Sequence, residues 1–365
     1  MFNNKMNYHD YLQVDKLLDA QKLESHVQGK PAHDEMLFII VHQVYELWFK
    51  LMLTEIESVL EIFSRDNVDE KLMDLIVSRL QRVVEIQKLL IDQVAIMETM
   101  TPLDFLEFRD LLIPASGFQS LQFRTLETRL GLRRDQRLKY GQGEFDQSLK
   151  PDQRTPMGQL EKEPSLFERV EKWLERTPFL KMHGFDFWGG YKKAVEDSLQ
   201  ADLKIIQENP TLGPDDRKRN ETILNGSLAT FQAFFDEPQY NEARARGEWR
   251  LSYKAVHAAL LIQLYRDQPA LQLPFRLITA LMDLDEMFTS WRGRHALMAR
   301  RMLGSKVGTG GSSGYEYLKN SADKHKVFQD FFQLTTFFVP RSKIPPLPRD
   351  VERQLGFFYS NSTQS

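Results

Sequence analysis

His295 is the side chain best placed to bind a cofactor in this sequence, because it interrupts an otherwise apolar stripe. The stripe steps by four and three residues, as one face of a long packed helix does, through Leu277, Leu281, Leu284, Phe288, Trp291, His295, Met298 and Met302. A buried imidazole without a partner costs about 1–3 kcal/mol. The pattern predicts either a cofactor ligand or a core histidine with a polar partner, and taken alone it favours the core histidine.

The helix that carries His295 is expected to end at Gly304, before a loop of Gly, Thr and Ser at residues 308–314. Such a loop suits a polar lid over a cofactor pocket, although the loop alone favours a plain connection with turn glycines. Two nucleotide-binding motifs are excluded. A phosphate-binding loop requires Gly-Lys-Ser/Thr after a strand, and the dinucleotide fingerprint requires glycine where Ser313 stands.

A second histidine, His42, shares one face of a predicted helix with Phe38, Tyr45 and Phe49. The helix taken alone favours a core stripe with one hydrogen-bonded histidine. The alternative is that His42 forms the polar wall of an aromatic pocket, where a side chain that titrates near neutral pH exchanges hydrogen bonds with a ligand.

Arg109 lies one helical turn after Phe105, in apolar surroundings that are unusual for a guanidinium. A planar guanidinium beside an aromatic ring suits a ligand with an aromatic body and a carboxylate. An intramolecular ion pair explains the same residues equally well. Ser116 precedes the next predicted helix, where its hydroxyl and free backbone N–H groups could meet a polar ligand atom.

The composition of the 365 residues narrows the chemistry, because the chain has 8 histidines and no cysteine. Disulfides, thiolate nucleophiles, cysteine-bound zinc, iron–sulfur clusters and a thiolate haem ligand are therefore excluded. The net charge of −3 gives no electrostatic reason to expect nucleic acid. No apolar run approaches the ~18 residues of a membrane span, and the first residues lack the apolar core of a signal peptide. We expect a cytoplasmic protein with neither nucleic acid nor membrane as partner.

The hydrophobic period is helical almost throughout, which predicts an all-α fold with one domain over residues 1–346. Helices are expected at residues 34–64, 69–97, 101–113, 117–130, 164–176, 187–208, 214–235, 252–267, 274–303 and 321–338. Residues 132–163 are polar and lack a period, so we expect a surface excursion or mobile loop there. Residues 347–365 are expected to form a flexible tail.

Several segments together resemble the tryptophan 2,3-dioxygenase family, and the resemblance runs from about Asn7 to Pro346. The matching stretches are HDEMLFIIVHQVYELWFK (33–50), ETMTPLDFLEFRDLLIPASGFQSLQFR (98–124), WRGRHALMARRMLGSKVGTGGSSGYEYL (291–318), LYRDQP (264–269) and WLERTP (173–178). The resemblance implies a single-domain helical bundle with a haem pocket between long helices.

The resemblance also implies roles for individual residues. His295 becomes the proximal ligand of the haem iron, with Trp291 and Ser116 beside the cofactor. His42 becomes the distal histidine near the indole nitrogen, and the remaining substrate-binding residues are Phe38, Phe105, Arg109, Ser116, Thr309, Tyr8 and Tyr11. Some members place tyrosine where this chain has Phe105, so the substrate carboxylate here depends more strongly on Arg109.

The activity implied by the resemblance is the opening of the indole ring of L-tryptophan by O2 to give N-formyl-L-kynurenine, the first step of the kynurenine pathway. The cofactor is haem b, ferrous in the active state, and O2 is the co-substrate. The family assembles as a homotetramer in which the N-terminal segment, with Tyr8 and Tyr11, reaches the neighbouring subunit's pocket. The alternative is a non-catalytic haem- or tryptophan-binding sensor of the same fold.

Overall fold

The protein is all-α, as the sequence predicts, with one very short pair of strands. The computed structural model describes residues 6–65, 68–138, 145–177, 181–182, 185–304, 306 and 314–356. The α-helices are α1 (Tyr8–Leu12), α2 (Val14–Leu18), α3 (Glu24–Val27), α4 (Glu35–Phe63), α5 (Met73–Met97), α6 (Pro102–Arg109), α7 (Leu121–Leu130), α8 (Pro151–Leu160), α9 (Leu166–Glu175), α10 (Phe187–Glu208), α11 (Pro214–Phe235), α12 (Glu237–Ala245), α13 (Tyr253–Leu264), α14 (Pro269–Leu303), α15 (Gly314–Lys324), α16 (Gln329–Gln333) and α17 (Arg349–Leu355).

Short 3₁₀ turns and a two-residue hairpin complete the described elements. The 3₁₀ turns are Glu70–Leu72, Asp110–Leu112, Gly117–Gln119, Arg134–Gln136, Phe145–Ser148, Leu334–Phe337 and Arg341–Lys343. Strands β1 (Lys181–Met182) and β2 (Phe185–Asp186) are antiparallel, and Lys181 lies opposite Asp186. The sequence shows no alternation of period two, and strands this short leave no room for one.

The chain forms two compact units. The first comprises Met1–Glu57, Arg82–Pro164 and Glu286–Lys326, and the second comprises Ser58–Gln81, Ser165–Asp285 and Val327–Ser365. The core of the second unit includes α13, which is buried on every side from Ala255 to Leu264. The single domain over residues 1–346 stays a prediction.

The first unit contains the residues that the sequence singles out for chemistry. Its apolar cluster joins side chains from α4, α5, α6 and the end of α14: Val41, Met97, Met100, Phe108 and Met302 are buried, and Phe38, Tyr45, Phe105 and Met298 pack against them. By length and composition α4 could also cross a membrane, a property that core helices of soluble proteins share.

Two predicted segments differ from the structure. The excursion at 132–163 contains α8, whose Met157 is 1% exposed and packs with Leu149. The expected tail contains α17, in which Val351 and Leu355 are buried one turn apart. Residues 357–365 lie outside the described part of the chain.

Candidate active site

Phe38 and His42 lie one turn apart on α4 at the centre of an aromatic group. The ring centroids of Phe38 and His42 are 4.2 Å apart. Phe38 stacks on Phe105 of α6 at 5.8 Å and meets Phe108 edge-on at 5.7 Å. Because the sequence places all of these rings at helical spacing, packing α4 against α6 suffices to bring them together. The result is an aromatic and apolar wall suited to a flat ligand.

The tautomer of His42 follows from its hydrogen bond. Nδ1 lies 2.7 Å from the backbone carbonyl oxygen of Phe38, and a carbonyl oxygen only accepts, so Nδ1 carries the hydrogen. Nε2 of the neutral ring is therefore a hydrogen-bond acceptor. Burial lowers the pKa of His42, while the Phe38 carbonyl and the Glu46 carboxylate act in the opposite direction. The His42 side chain is nevertheless exposed to solvent.

The Arg109 side chain is mostly buried, with 14% of its surface exposed. It lies at the end of α6, which begins with a capping box formed by Thr101 and Asp104. The distance from Arg109 Nη1 to Asp110 Oδ1 is 3.8 Å, too long for a hydrogen bond, and Asp110 is 83% exposed. Their ion pair is thus weak.

Ser116 forms the N-cap of the 3₁₀ turn that precedes α7. Its Oγ accepts a hydrogen bond from the backbone N–H of Phe118 at 3.4 Å, and its own N–H donates to Gln119 Oε1 at 3.2 Å. The hydroxyl hydrogen of Ser116 is a further donor that a ligand could use.

His295 lies on α14, half-buried beside the ring of Trp291 at 5.3 Å between centroids. Its Nδ1 is buried and has no hydrogen-bond partner within the described ranges. Burial, and to a smaller extent the charge of His42, lowers the pKa of His295 to about 4. The two imidazoles are therefore close enough to interact, and His295 is neutral at neutral pH, as a metal ligand must be.

These features fit a haem. A core histidine needs a polar partner for its buried nitrogen, and Nδ1 of His295 finds none in the part of the chain that the structure describes. The nearby side chains are aromatic or thioether groups, including Trp291 and Met298, which suit a flat macrocycle. Among the described residues, no group of three or more His, Asp or Glu side chains could hold a bare metal ion.

The remaining predicted site residues are distributed as follows. Trp291 packs between Tyr45, at 6.2 Å, and Phe123, at 5.1 Å. Tyr8 and Tyr11 on α1 are 71% and 70% exposed, so the structure does not bring them to the pocket of their own chain. Thr309 lies outside the described residues.

Arg292, three residues before His295, has protein partners. Arg292 joins a buried network centred on Glu127, which accepts from Arg292 Nη2 at 2.8 Å and from Arg124 Nη1 at 3.0 Å. Arg137 also donates to Glu127. Burial alone would raise the pKa of Glu127, but Arg137, His325 and the other two guanidinium groups hold it well below the usual range.

Sequence reasoning missed a polar pair beside His42. Glu46 lies one turn after His42 on α4, and Gln122 Nε2 of α7 donates to its Oε2 at 2.8 Å and to its backbone oxygen at 2.9 Å. The available signal was the four-residue spacing of His42 and Glu46, which places both on one helix face.

The comparisons with known proteins agree on one family. A family described as tryptophan 2,3-dioxygenase matches residues 1–338. A tryptophan 2,3-dioxygenase of Bdellovibrio bacteriovorus is 55% identical over 354 residues, covering 97% of this chain and 99% of that protein. One of Dictyostelium discoideum is 47% identical over 97% of this chain and 88% of its own length. Tryptophan 2,3-dioxygenase B of Danio rerio is 46% identical over 95% of this chain and 85% of its own length.

Proposed function

The chain belongs to the tryptophan 2,3-dioxygenase family, and from this premise we propose that it opens the indole ring of L-tryptophan with O2 to give N-formyl-L-kynurenine. The observation that carries the proposal is the approach of two histidines to one another, with His42 beside Phe38 and His295 beside Trp291. His42 offers Nε2 as an acceptor, and His295 holds a buried nitrogen without a partner within the described ranges. A haem bound by His295 and an indole ring bound by His42 would lie side by side in this arrangement.

The cofactor proposal is haem b with His295 as the iron ligand and Trp291 beside it. The absence of cysteine from the chain excludes a thiolate ligand, and Nδ1 of His295 has no hydrogen-bond partner among the described residues, which supports His295 as the ligand. When bound, the haem supplies the iron chemistry that activates O2 towards the indole C2=C3 bond. The protein contributes orientation and the exclusion of water.

Substrate binding divides between apolar and polar groups. Phe38 and Phe105, which stack on each other with centroids 5.8 Å apart, would together form an apolar wall against the indole ring. His42 Nε2 would accept the indole N–H, and the Arg109 guanidinium would bind the carboxylate with two parallel hydrogen bonds. Ser116 and Thr309 would donate to the polar end of the amino acid.

The balance of the reaction limits what His42 must do. Both atoms of O2 enter the product, so tryptophan and O2 account for every atom, and no external proton or electron is consumed. His42 therefore orients the indole and need not remove its proton permanently. We expect His42→Ala to lower turnover without abolishing it, since losing one hydrogen bond typically costs about 0.5–1.5 kcal/mol.

We also propose a cytoplasmic homotetramer in which α1 of one subunit reaches the pocket of its neighbour. The exposure of Tyr8 and Tyr11, 71% and 70%, supports this, because large aromatic side chains on a short terminal helix gain by burial in a partner. Light scattering of the purified protein tests the assembly. A monomer with full activity would contradict the exchange of α1.

Haem-loaded protein supplied with L-tryptophan tests the function. Equal amounts of O2 and tryptophan should disappear while N-formyl-L-kynurenine accumulates. Binding of haem and tryptophan without turnover would instead indicate a sensor. A protein that shows no Soret band after loading with haem would contradict the assignment of His295.

A further inference from the structure

The turn of α4 that carries His42 is held in place by hydrogen bonds to two other helices, α5 and α7. Tyr45 Oη donates to the backbone oxygen of Leu90 on α5 at 2.7 Å. From α5, Gln93 Nε2 donates to the backbone oxygen of Val41 at 3.3 Å. These bonds fix the backbone of α4 on one side of His42.

Gln122 holds the other side of this turn. Its Nε2 carries two hydrogens, and it donates to the Glu46 backbone oxygen at 2.9 Å and to the Glu46 carboxylate at 2.8 Å. The bond to the carboxylate fixes its direction, while the bond to the backbone ties α4 to α7. Since His42 and Glu46 are four residues apart on a helix, their Cβ atoms are about 5–6 Å apart. A negative charge is thus held beside the imidazole.

That charge matters because burial makes the His42 ring a weaker base, and Glu46 acts against this effect. A more basic imidazole is a stronger hydrogen-bond acceptor at Nε2. Glu46 therefore preserves part of the basicity that the surrounding protein removes from His42.

We propose that Glu46, oriented by Gln122, is a positioning residue that acts through His42 to strengthen Nε2 as the acceptor of the indole N–H. The proposal rests on the function proposed above. Glu46 itself touches neither substrate nor cofactor in this account.

A double-mutant cycle tests the proposal. Glu46→Gln keeps the shape of the side chain and its oxygen for Gln122, and removes only the charge. It should lower kcat/KM for L-tryptophan about three- to tenfold, the range of one weakened hydrogen bond. In a His42→Ala background the same substitution should change nothing, because its effect passes through the imidazole. Gln122→Ala, which releases the carboxylate but keeps its charge, should give a smaller loss that also vanishes without His42.

Glu57→Gln is the matched control, because Glu57 also joins α4 to α7, accepting from Arg129 Nε at 2.5 Å. It should leave kcat/KM unchanged in both backgrounds. An equal loss from Glu46→Gln with and without His42, or no loss at all, would overturn the proposal.

Dissociation constants for L-tryptophan from equilibrium dialysis complete the cycle. If the parent protein binds tryptophan without converting it, the proposed reaction is refuted. The role of Glu46 is then decided by whether Glu46→Gln weakens tryptophan binding in the parent protein but not in the His42→Ala background. A parent protein that neither binds nor converts L-tryptophan would refute both.

Discussion

Arg109 is the residue at which substrate specificity can be tested most sharply. If its guanidinium binds the carboxylate through two hydrogen bonds, lysine cannot replace it, because an ammonium group lacks the planar fork. Tryptamine has no carboxylate and would not offer the mostly buried Arg109 guanidinium the substrate group proposed to bind it. A site built for a polar group can reject such an analogue by about 10⁴-fold or more. The parent protein should therefore have a much higher kcat/KM for L-tryptophan than for tryptamine. Arg109→Lys should reduce the ratio of the two values.

The measurement is kcat/KM for both substrates with the parent and with Arg109→Lys. Glu107→Gln, at an exposed position two residues before Arg109 and so on another face of α6, serves as a control and should keep the parent ratio. An unchanged ratio in Arg109→Lys would make Arg109 part of a structural ion pair.

His295 carries the expectation for the cofactor. His295→Ala should abolish stable haem binding and leave the helical fold intact, because the ring makes no hydrogen bond at Nδ1 with the described residues that its removal would break. Titration with haem, followed by the Soret band, and far-ultraviolet circular dichroism measure the two effects. The exposed His26 provides a control in His26→Ala, which should bind haem normally. A normal Soret spectrum in His295→Ala would refute the assignment.

Among the elements, those with a regular hydrophobic period were predicted closely. Helices α10 and α11 have the predicted bounds, and the stripe on α14 is buried from Leu277 to Phe288. The expected helix at 321–338 is wrong as one element. The Asp285 carboxylate accepts the backbone N–H groups of Val327, at 2.9 Å, and Phe328, at 3.1 Å, which are donors that a continuous helix would use. Such a long-range contact leaves no local signal in the sequence.

Prolines account for two further differences between prediction and structure. The predicted start at residue 274 coincides with Pro274, whereas α14 begins at Pro269 and keeps Pro274 inside the helix. Pro156 similarly lies inside α8, in a segment too polar to show a period. For the candidate site, helical spacing sufficed to predict that Phe38 and His42 lie together on α4, and the roles of Phe105 and Arg109 stay predictions. The Glu46–Gln122 pair joins residues distant in sequence, so spacing alone could not predict it.

The network around Glu127 gives a prediction for how elements are held together. Glu127 on α7 is 2% exposed and binds guanidinium groups from α7, from α14 and from the segment after α7. Glu127→Gln would leave these buried cations without their carboxylate, so we expect a loss of about 3–5 kcal/mol in the free energy of unfolding. Urea denaturation measures this loss. Glu85→Gln, which breaks an exposed pair with Lys88, should cost less than about 1 kcal/mol. Equal costs would show that the network contributes no more than a surface pair.

At the scale of the whole molecule, stability should fall in acid because a buried histidine is held neutral in the second unit. His257 is 1% exposed, and its ring centroid lies 3.6 Å from that of Trp188 and 3.8 Å from that of Tyr253. Burial lowers its pKa from 6.5 to about 3, although a hydrogen bond to the Phe234 backbone opposes the shift. Between pH 6.5 and about pH 3, the His257 ring is protonated in the unfolded chain but stays neutral in the folded protein. The His257 contribution is therefore complete above pH 6.5 and is lost by about 1.4 kcal/mol per pH unit below it.

His257→Phe should flatten this dependence of unfolding free energy on pH, whatever its effect at neutral pH. The comparison is a set of urea denaturation curves from pH 7 to pH 4 for the parent, His257→Phe and His26→Phe. The exposed His26 should leave the slope unchanged. Parallel curves for the parent and His257→Phe would show that His257 does not carry the acid sensitivity.

In the proposed reaction, one O2 molecule gives both of its atoms to the opened indole ring. To test this, haem-loaded protein and L-tryptophan are supplied with a mixture of ordinary O2 and O2 labelled at both atoms with the heavy oxygen isotope. The mass of the N-formyl-L-kynurenine is then measured by mass spectrometry. We predict product that is either unlabelled or doubly labelled. Product with a single heavy atom as the main labelled species would mean that water or a second O2 supplies one oxygen, and would contradict the account.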